Sequence, residues 1–485
     1  MNLIIRKYKI YLIALVINGS SLFSQAQKLT LTDVIEMAKQ QSIAAKQASA
    51  ARETKYWEYK SFLANYKPQL ILQGNLPAFN RSFKEVVQPD GTIEFQPVRY
   101  NNSSLNLSLN QIVSSTGGSI YAASQIQRFD DFDRNKKLYN GLPFGIGYEQ
   151  PLFRFNTWSW DKKIEPLKFN ESRQTYIESM ESISIKANQY FFELLLAQVN
   201  LQIAETNLGN TENILKITKE KFDIGKTSRN EILQLELENL NSKKAVGTAK
   251  RDLEISTLNL KSFIGLQNDN KIELLAPLQV SGVTITADKA MQEAFDNRSD
   301  AISYQRMIME ADKAIAKAKG DNGLNATLSV SLGFSNRANA LRSIYVHPKD
   351  QENINLELSI PVVDWGRSKS RLITAQVQKQ LTEYTVEQEK QNFRQSIYTQ
   401  VTLYEMLKSQ LDITAKADSI ASEKYDIAKD RYLLGNLSIT DLSIAFQEKD
   451  QSKRDNINAL RDYWGAYYQL RALTLYDFEI NEKIK

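Results

Sequence analysis

The fold is decided by a stretch in which small and apolar residues recur every three and four positions. Residues 183–208 read ISIKANQYFFELLLAQVNLQIAETNL. The recurring residues are Ile183, Ala187, Tyr190, Leu194, Ala197, Leu201, Ala204 and Leu208. Alternating steps of four and three are the heptad seam of a coiled coil. The sequence therefore predicts a long helix that packs along one face.

This helix turns back on itself at Gly225. A second seam begins at Ile232 and ends at Phe263, after the connecting residues 221–230, KFDIGKTSRN. Two such helices predict an antiparallel hairpin over about residues 156–263. At 1.5 Å per residue, the first helix alone would be roughly 100 Å long. That length is too great for the core of a compact domain.

Before the hairpin, the pattern changes from helical to alternating. An opening helix, for which Thr32 is the predicted cap, ends before Pro68. Leu105, Leu107 and Leu109 then alternate with polar residues. This period of two predicts strands with one apolar face, over about residues 69–150.

The same plan then occurs a second time. Pro151 precedes Gly225 by the same number of positions as Pro361 precedes Gly435. We expect a first repeat at 27–265, a linker at 266–283 and a second repeat at 284–485, with strands at about 326–361 and a hairpin at about 366–475. Ile413, Ile420, Ile427 and Leu434 mark every seventh position of the second hairpin. The predicted fold is mainly α, with β-strands inserted in a duplicated helix–strands–helix hairpin repeat.

Residues 1–26 have the features of a secretory signal peptide. Arg6, Lys7 and Lys9 precede a mostly apolar run of about 14 residues, and small residues stand before the expected cut at Gln27. No later stretch approaches the ~20 apolar residues that a spanning helix needs. We therefore expect an exported protein without a membrane-spanning helix.

Composition excludes several classes of function. The chain has 61 basic residues against 56 acidic ones, and three of the basic residues lie in the signal segment. So small an excess gives no support for nucleic-acid binding. There is no cysteine, and the single histidine, His347, precedes a proline in a loop-like stretch. Because no spacing of acids selects a catalytic pair either, we expect no enzyme activity, no metal site and no cofactor.

Strands with one apolar and one polar face suit a wall between lipid and water, although a half-buried soluble sheet has the same alternation. In hydrocarbon, strands cross only as a closed barrel, because every backbone group must be paired. About four strong strands per chain are too few to enclose a usable interior. A membrane location therefore requires several copies of the chain.

Four aromatic residues follow the first strand region. They are Phe153, Phe155, Trp158 and Trp160. Such density indicates either an aromatic belt at a membrane interface or ordinary core packing where strand changes to helix.

Together these segments resemble the TolC-like outer-membrane efflux proteins, over essentially the whole mature chain. The similar segments are 29–38 (LTLTDVIEMA), 150–153 (QPLF), 222–225 (FDIG), 360–366 (IPVVDWG), 432–435 (YLLG) and 463–477 (YWGAYYQLRALTLYD). The resemblance implies a homotrimer in the outer membrane of a Gram-negative bacterium. In it, a 12-stranded barrel, with four strands from each chain, continues into an α-helical tunnel across the periplasm. It also implies an exit duct for small toxic molecules or exported proteins, supplied by a periplasmic adaptor (membrane fusion) protein and an inner-membrane transporter of RND or ABC type.

The resemblance also implies site residues. An acidic ring at the periplasmic mouth corresponds to Asp441, with Ile444 in place of the second acid and Glu231 at the equivalent position of the first repeat. Without the resemblance, Asp441 is better read as favouring the start of its own helix. The adaptor-contact turns correspond to Ile224, Gly225, Lys226, Leu434, Gly435 and Asn436.

One departure concerns the number of strands. The segment between Pro68 and Pro151 is more than twice as long as the segment between Asn325 and Pro361. Extra strands or a long loop outside the cell would both account for this difference. The main alternative to a channel is a periplasmic coiled-coil structural or adaptor protein, with its strands in a small soluble domain.

Overall fold

The computed structural model describes residues 27–266, 271–277 and 282–485. The predicted signal peptide lies outside the described residues, as does part of the predicted linker. The chain divides into two compact units. The hairpin unit comprises Met1–Ile43, Ile183–Ser281 and Ser409–Gly465, and the sheet unit comprises Ala44–Ser182, Gly282–Lys408 and Ala466–Lys485.

Two helical hairpins of identical length dominate the chain. The helices are α1 (Leu31–Gln41), α2 (Ile43–Ala64), α3 (Thr157–Asp223), α4 (Arg229–Ile264), α5 (Ala287–Asn297), α6 (Ser299–Asp321), α7 (Arg367–Leu433) and α8 (Ile439–Thr474). Both α3 and α7 have 67 residues, and both α4 and α8 have 36. The duplicated hairpin repeat predicted from the sequence is confirmed.

The heptad seam is buried in the hairpin unit. Its buried members are Ile183, Ala187, Leu194, Ala197 and Ala204 of α3, and Ile232, Leu235, Asn239, Ser242, Ala249 and Leu260 of α4. Helices this long depend on such burial rather than on intrinsic propensity.

The start of the hairpin unit differs in detail from the sequence prediction. Thr30, not Thr32, caps α1: its hydroxyl accepts a hydrogen bond from the Asp33 amide at 3.2 Å. The Asp33 carboxylate in turn accepts from the Thr30 amide at 2.9 Å, which completes a capping box. The opening helix also breaks at Ser42, so that α1 and α2 are separate helices.

Eleven strands lie within the described residues. They are β1 (Gln27–Leu29), β2 (Gln69–Asn75), β3 (Phe79–Val87), β4 (Ile93–Val113), β5 (Gly118–Asp131), β6 (Lys136–Leu152), β7 (Ile272–Leu274), β8 (Asn325–Ala338), β9 (Lys349–Ser359), β10 (Tyr476–Asp477) and β11 (Glu482–Lys483). Parallel pairing of β1 with β7 joins the start of the hairpin unit to the predicted linker segment.

One antiparallel sheet in the sheet unit contains seven of these strands, in the order β2–β4–β5–β6–β8–β9 with β3 also on β4. β2 pairs with 104–110 of β4, and β3 pairs with 93–101 of the same strand. β2 and β3 are therefore two segments of one strand position, and the sheet is six positions wide. The four strands per chain implied by the resemblance are corrected to six, because the long first region forms an additional paired hairpin.

Candidate functional site

The sheet has an apolar and a polar face, and in its strand β4 the apolar face is the more exposed one, which is the reverse of a soluble sheet. In β4, Leu105, Leu107 and Leu109 are 37%, 43% and 43% exposed, whereas Ser108 between them is 9% exposed. A small hydroxyl side chain is less accessible than its leucine neighbours, which indicates that the polar face is the concave one. An apolar convex face suits contact with lipid.

This two-faced character extends across all six strand positions. Leu107 lies opposite Leu72 of β2 and Ser124 of β5, and the residues on its face continue through every pairing. The apolar face includes Leu70, Leu72, Leu105, Leu107, Leu109, Ile120, Ile146, Tyr148, Leu328, Val330, Leu332, Ile354, Leu356 and Leu358. The polar face includes Gln73, Asn106, Ser108, Asn110, Gln125, Glu149, Ser329, Ser331, Asn355 and Glu357.

Among the residues that the structure describes, the sheet has two edges without a further partner strand. One edge is β2 with β3, which pair only with β4, and the other is β9, which pairs only with β8. Every residue of β2 and of β9 is exposed. Unpaired edges with an apolar face are strong sites for pairing with another chain.

The four predicted interface aromatics have unlike surroundings. Phe153 is 71% exposed, whereas Phe155, Trp158 and Trp160 are only partly exposed. The Trp158 carbonyl accepts a hydrogen bond from the Tyr66 hydroxyl at 2.9 Å. Phe153 is therefore the one of the four whose side chain is mostly free for a membrane interface.

The sequence reasoning missed a similar residue in the second repeat. Trp365 is 95% exposed and lies four positions after Pro361, as Phe155 lies four positions after Pro151. Like Phe153, Trp365 has a left-handed backbone, with φ of 54° at Trp365 and 65° at Phe153. The repeat was the available signal, because it aligns Trp365 with Phe155, one of the four predicted aromatics.

The two hairpin tips have the same backbone geometry. The Gly225 amide donates to the Phe222 carbonyl at 2.8 Å, and the Gly435 amide donates to the Tyr432 carbonyl at 3.0 Å. Both glycines have a left-handed φ, of 75° and 82°, which other residues adopt only with strain. Beside them, Ile224 is 66% exposed and Leu434 is 76% exposed.

The two predicted gate acids occupy the same place in their helices. Ser228 caps α4 and accepts from the Glu231 amide at 3.3 Å, while Ser438 accepts from the Asp441 amide at 3.1 Å. The Ser438 hydroxyl donates to the Asp441 carboxylate at 2.7 Å, and the Thr227 hydroxyl donates to that of Glu231. Within one chain, both acids therefore have a helix-capping role.

Polar side chains join the two hairpins near their tips, in a cluster that the sequence reasoning missed. The Asn207 amide donates to the Asp450 carboxylate at 2.6 Å. Closer to the tips, the Thr218 and Tyr432 hydroxyls share a buried hydrogen bond of 3.2 Å. These contacts hold α3 against α7 and α8 within the hairpin unit.

Tyr425 occupies the position one heptad before Tyr432 and makes a similar contact. The Asn210 amide donates to its hydroxyl at 3.1 Å. Burial raises the pKa of the Tyr425 phenol, and Asp426 and Asp450 raise it further, so the group stays protonated. The seven-residue spacing of the two tyrosines is the signal that sequence reading could have used.

Each hairpin also has an apolar stripe that faces away from its own partner. In α4 the stripe is Leu233, Leu237 and Leu240, and in α7 it is Ile413, Ile420 and Ile427, each more than half exposed. The three isoleucines of the α7 heptad therefore lie on a face of the helix that its own chain leaves exposed. Leu233 and Ile427 lie equally far along the chain from their tip glycines, and so do Leu240 and Ile420.

The described residues contain neither a spanning helix nor a metal centre. No helix among them is long and apolar enough to cross a membrane. In the same residues, no group of three or more His, Cys, Asp or Glu side chains is arranged to hold a metal ion.

Comparisons with known proteins agree with this geometry. The family described as outer membrane efflux protein matches residues 289–474. The cation efflux system protein CusC of Escherichia coli (strain K12) is 24% identical over 296 residues, which cover 57% of this chain. That match spans 61% of the length of CusC.

Solved structures with a similar fold cover most of the chain. The Campylobacter jejuni CmeC outer membrane channel has a TM-score of 0.66 at 15% identity and covers 92% of this chain and 85% of its own. The Vibrio cholerae outer membrane protein VceC has a TM-score of 0.65 at 14% identity, covering 94% and 97%. The fold and the two-faced sheet thus define an outer-membrane channel fold. The fold of this chain is therefore similar to that of solved outer-membrane channels, and a segment of its second repeat, residues 289–474, is similar to the outer membrane efflux protein family.

Proposed function

We propose that this chain is the outer-membrane exit duct of a tripartite efflux or type I secretion system. One observation carries the proposal: an antiparallel sheet with an apolar and a polar face, in which the leucines of β4 are exposed while Ser108 between them is buried. Such a wall separates lipid from a watery lumen. The duct performs no chemistry. Its cargo arrives from an inner-membrane transporter of RND or ABC type through a periplasmic adaptor.

The proposed assembly is a homotrimer. A sheet six positions wide leaves both of its edges unpaired, which hydrocarbon does not tolerate. Identical copies around one axis satisfy both edges at once. The apolar stripes support the same arrangement, because Leu233 and Leu240 of one copy lie as far from the tip as Ile427 and Ile420 of the next.

We propose that the two tips form the surface that contacts the adaptor. The exposed side chains of Ile224 and Leu434 supply apolar contacts there. Lys226 and Asn436 follow the tip glycines Gly225 and Gly435 at equivalent positions and add polar contacts. The equal geometry of the two turns gives each chain two similar docking points.

The gate proposal concerns Asp441 and Glu231. Three copies of each acid around a narrow axis attract cations and repel one another, in addition to capping their helices. Asp441→Asn should therefore lower the cation selectivity of single channels in planar bilayers. Asp412→Asn is the matched control, because it removes the same charge from an exposed position on α7 farther from the tip. Equal selectivity in the wild type and in Asp441→Asn would leave Asp441 with its capping role alone.

The function itself is tested by fractionation and conductance. We expect the protein in outer-membrane fractions, as a trimer that dissociates on heating before gel electrophoresis, and we expect purified trimers to conduct ions across planar bilayers. A soluble, non-conducting monomer would instead support the alternative of a periplasmic coiled-coil structural or adaptor protein.

A further inference from the structure

We propose that each chain contributes six strands to the barrel, so that the trimer closes with 18 strands rather than the 12 implied by the resemblance. This inference rests on the proposed trimeric channel and adds the composition of its wall. Hydrogen bonds join the six positions into one continuous sheet, from β2 and β3 at one edge to β9 at the other.

The additional strands are part of the wall and not an external loop. β4 and β5 are paired without interruption, from Tyr100 with Asp131 to Val113 with Gly118. β6 then pairs on both sides, with β5 and with β8. Taking any of these strands out of the sheet would leave a row of backbone groups unpaired in hydrocarbon, at a cost of several kcal/mol for each group.

The faces of these strands also agree with a place in the wall. Ile120 and Ala122 of β5 lie opposite Tyr148 and Ile146 of β6 on the apolar face. On the polar face, the Tyr121 ring covers Gly147, since a Cβ on that glycine would lie 2.3 Å from a ring carbon of Tyr121. An aromatic ring over a strand glycine is a device that fixes the register of two strands.

The two free edges fit each other. The strands alternate in direction, so six positions bring β9 of one copy antiparallel to β2 of the next. Following the pairings from Gln69 across the sheet leads to Asn353, six residues before the end of β9 at Ser359. Pairing Ser359 with Gln69 of the next copy places Leu358 opposite Leu70 and Asn355 opposite Gln73. Both faces therefore continue across the seam.

The resulting barrel has an acceptable geometry. With about 3.3 Å per residue and about 4.8 Å between strands, an offset of six residues over six strands gives a tilt of about 35°, within the usual range of roughly 35–45°. At that tilt, an 18-stranded barrel has a backbone radius of about 17 Å, against about 11 Å for 12 strands. The wall thus encloses a wider lumen than the resemblance implied.

Cysteine cross-linking tests the seam, and the natural chain contains no cysteine to interfere. The double variant Gln73→Cys/Asn355→Cys should form disulfide-linked dimers and trimers on oxidation. The matched variant Asn106→Cys/Asn355→Cys should not, because Asn106 is the in-chain partner of Gln73 and would lie two strands, about 10 Å, from Asn355. The single-cysteine variants control for adventitious links.

The outcomes separate the strand count from the function. Links through Asn106 without links through Gln73 would mean that β2 lies outside the wall, which would overturn the 18-stranded barrel and leave a trimeric channel. A heat-sensitive trimer in which neither pair links would also overturn the seam. If the wild-type protein does not form a trimer, the proposed function itself is overturned.

Discussion

In the proposed duct, we expect the hydrogen bond between Thr218 and Tyr432 to hold the two hairpins together near their tips. The two hydroxyls are 3.2 Å apart, and the side chains are 1% and 7% exposed. Tyr432→Phe removes one partner and leaves the Thr218 hydroxyl buried without this bond. The cost of such an unsatisfied group is about 1–3 kcal/mol. If opening separates the second hairpin from the first, the equilibrium constant between the closed and the open state of each copy would shift about 5- to 150-fold toward the open state.

The assay is the conductance of purified trimers in planar bilayers. We expect Tyr432→Phe to raise the open probability above that of the wild type. The open probability of Thr218→Val/Tyr432→Phe should lie between those of Tyr432→Phe and the wild type, because replacing both partners by apolar groups leaves no buried hydroxyl unsatisfied. Tyr398→Phe, at an exposed position of α7, controls for loss of a tyrosine hydroxyl. Wild-type conductance in both Tyr432→Phe and the double variant would refute a closing role for this contact.

Three further predictions concern stability. Arg471→Met should lower the free energy of unfolding by about 3–5 kcal/mol and lower the temperature at which trimers dissociate, because it removes the guanidinium that lies 3.1 Å from the fully buried Glu181 carboxylate. Arg471→Lys keeps the positive charge and should recover part of that stability. Gly147→Val should reduce the yield of folded trimer through its clash with Tyr121, and Tyr121→Ala added to it should restore that yield. Hydrogen bonds from the hydroxyl and the amide of Thr30 hold the pKa of Asp33 below its ordinary 3.8. This contribution to the stability of α1 is present above that pH and is lost as the pH falls through the lower pKa of the folded state, so cleavage of α1 by a protease should increase there. Asp33→Asn should remove this pH dependence.

The long helices and their turns could be predicted because their signals are local. A heptad seam needs only the spacing of apolar residues along one segment. The tip glycines Gly225 and Gly435 have a left-handed φ that other residues adopt with strain, so their positions mark the turns. The equal reach from Pro151 and Pro361 to these glycines then revealed the repeat.

The six strand positions could be predicted only in part. β6 contains Gly141, Gly145 and Gly147, and an irregularity near Leu142 shifts its register with β5. Glycines and a shift of register weaken the period-two signal on which a strand prediction depends. The unequal lengths of the two strand regions correctly suggested additional strands, but they did not exclude a long loop.

The contacts between the hairpins depend on pairing across long distances in sequence. Asn207 and Asp450 are 243 residues apart, and neither spacing nor composition indicates that they meet. For the isoleucine heptad that begins at Ile413, in contrast, the sequence signal is present but has two interpretations. Its pattern is strong, but the sequence alone does not distinguish a seam inside one chain from a stripe that contacts another copy.

The unequal strand regions and the equal hairpins follow from different constraints. An antiparallel sheet returns the chain to the end at which it entered only after an even number of strand positions. The first repeat contains four such positions and the second contains two, so both repeats begin their long helices from the same end of the sheet. Adding one hairpin of two strands to a repeat therefore widens the wall without changing the direction of the following helix. The helices are more constrained. α3 and α7 have the same 67 residues and contact each other through two hydrogen bonds before the tips, Asn210 with Tyr425 and Thr218 with Tyr432, so a change in the length of one helix would shift these contacts.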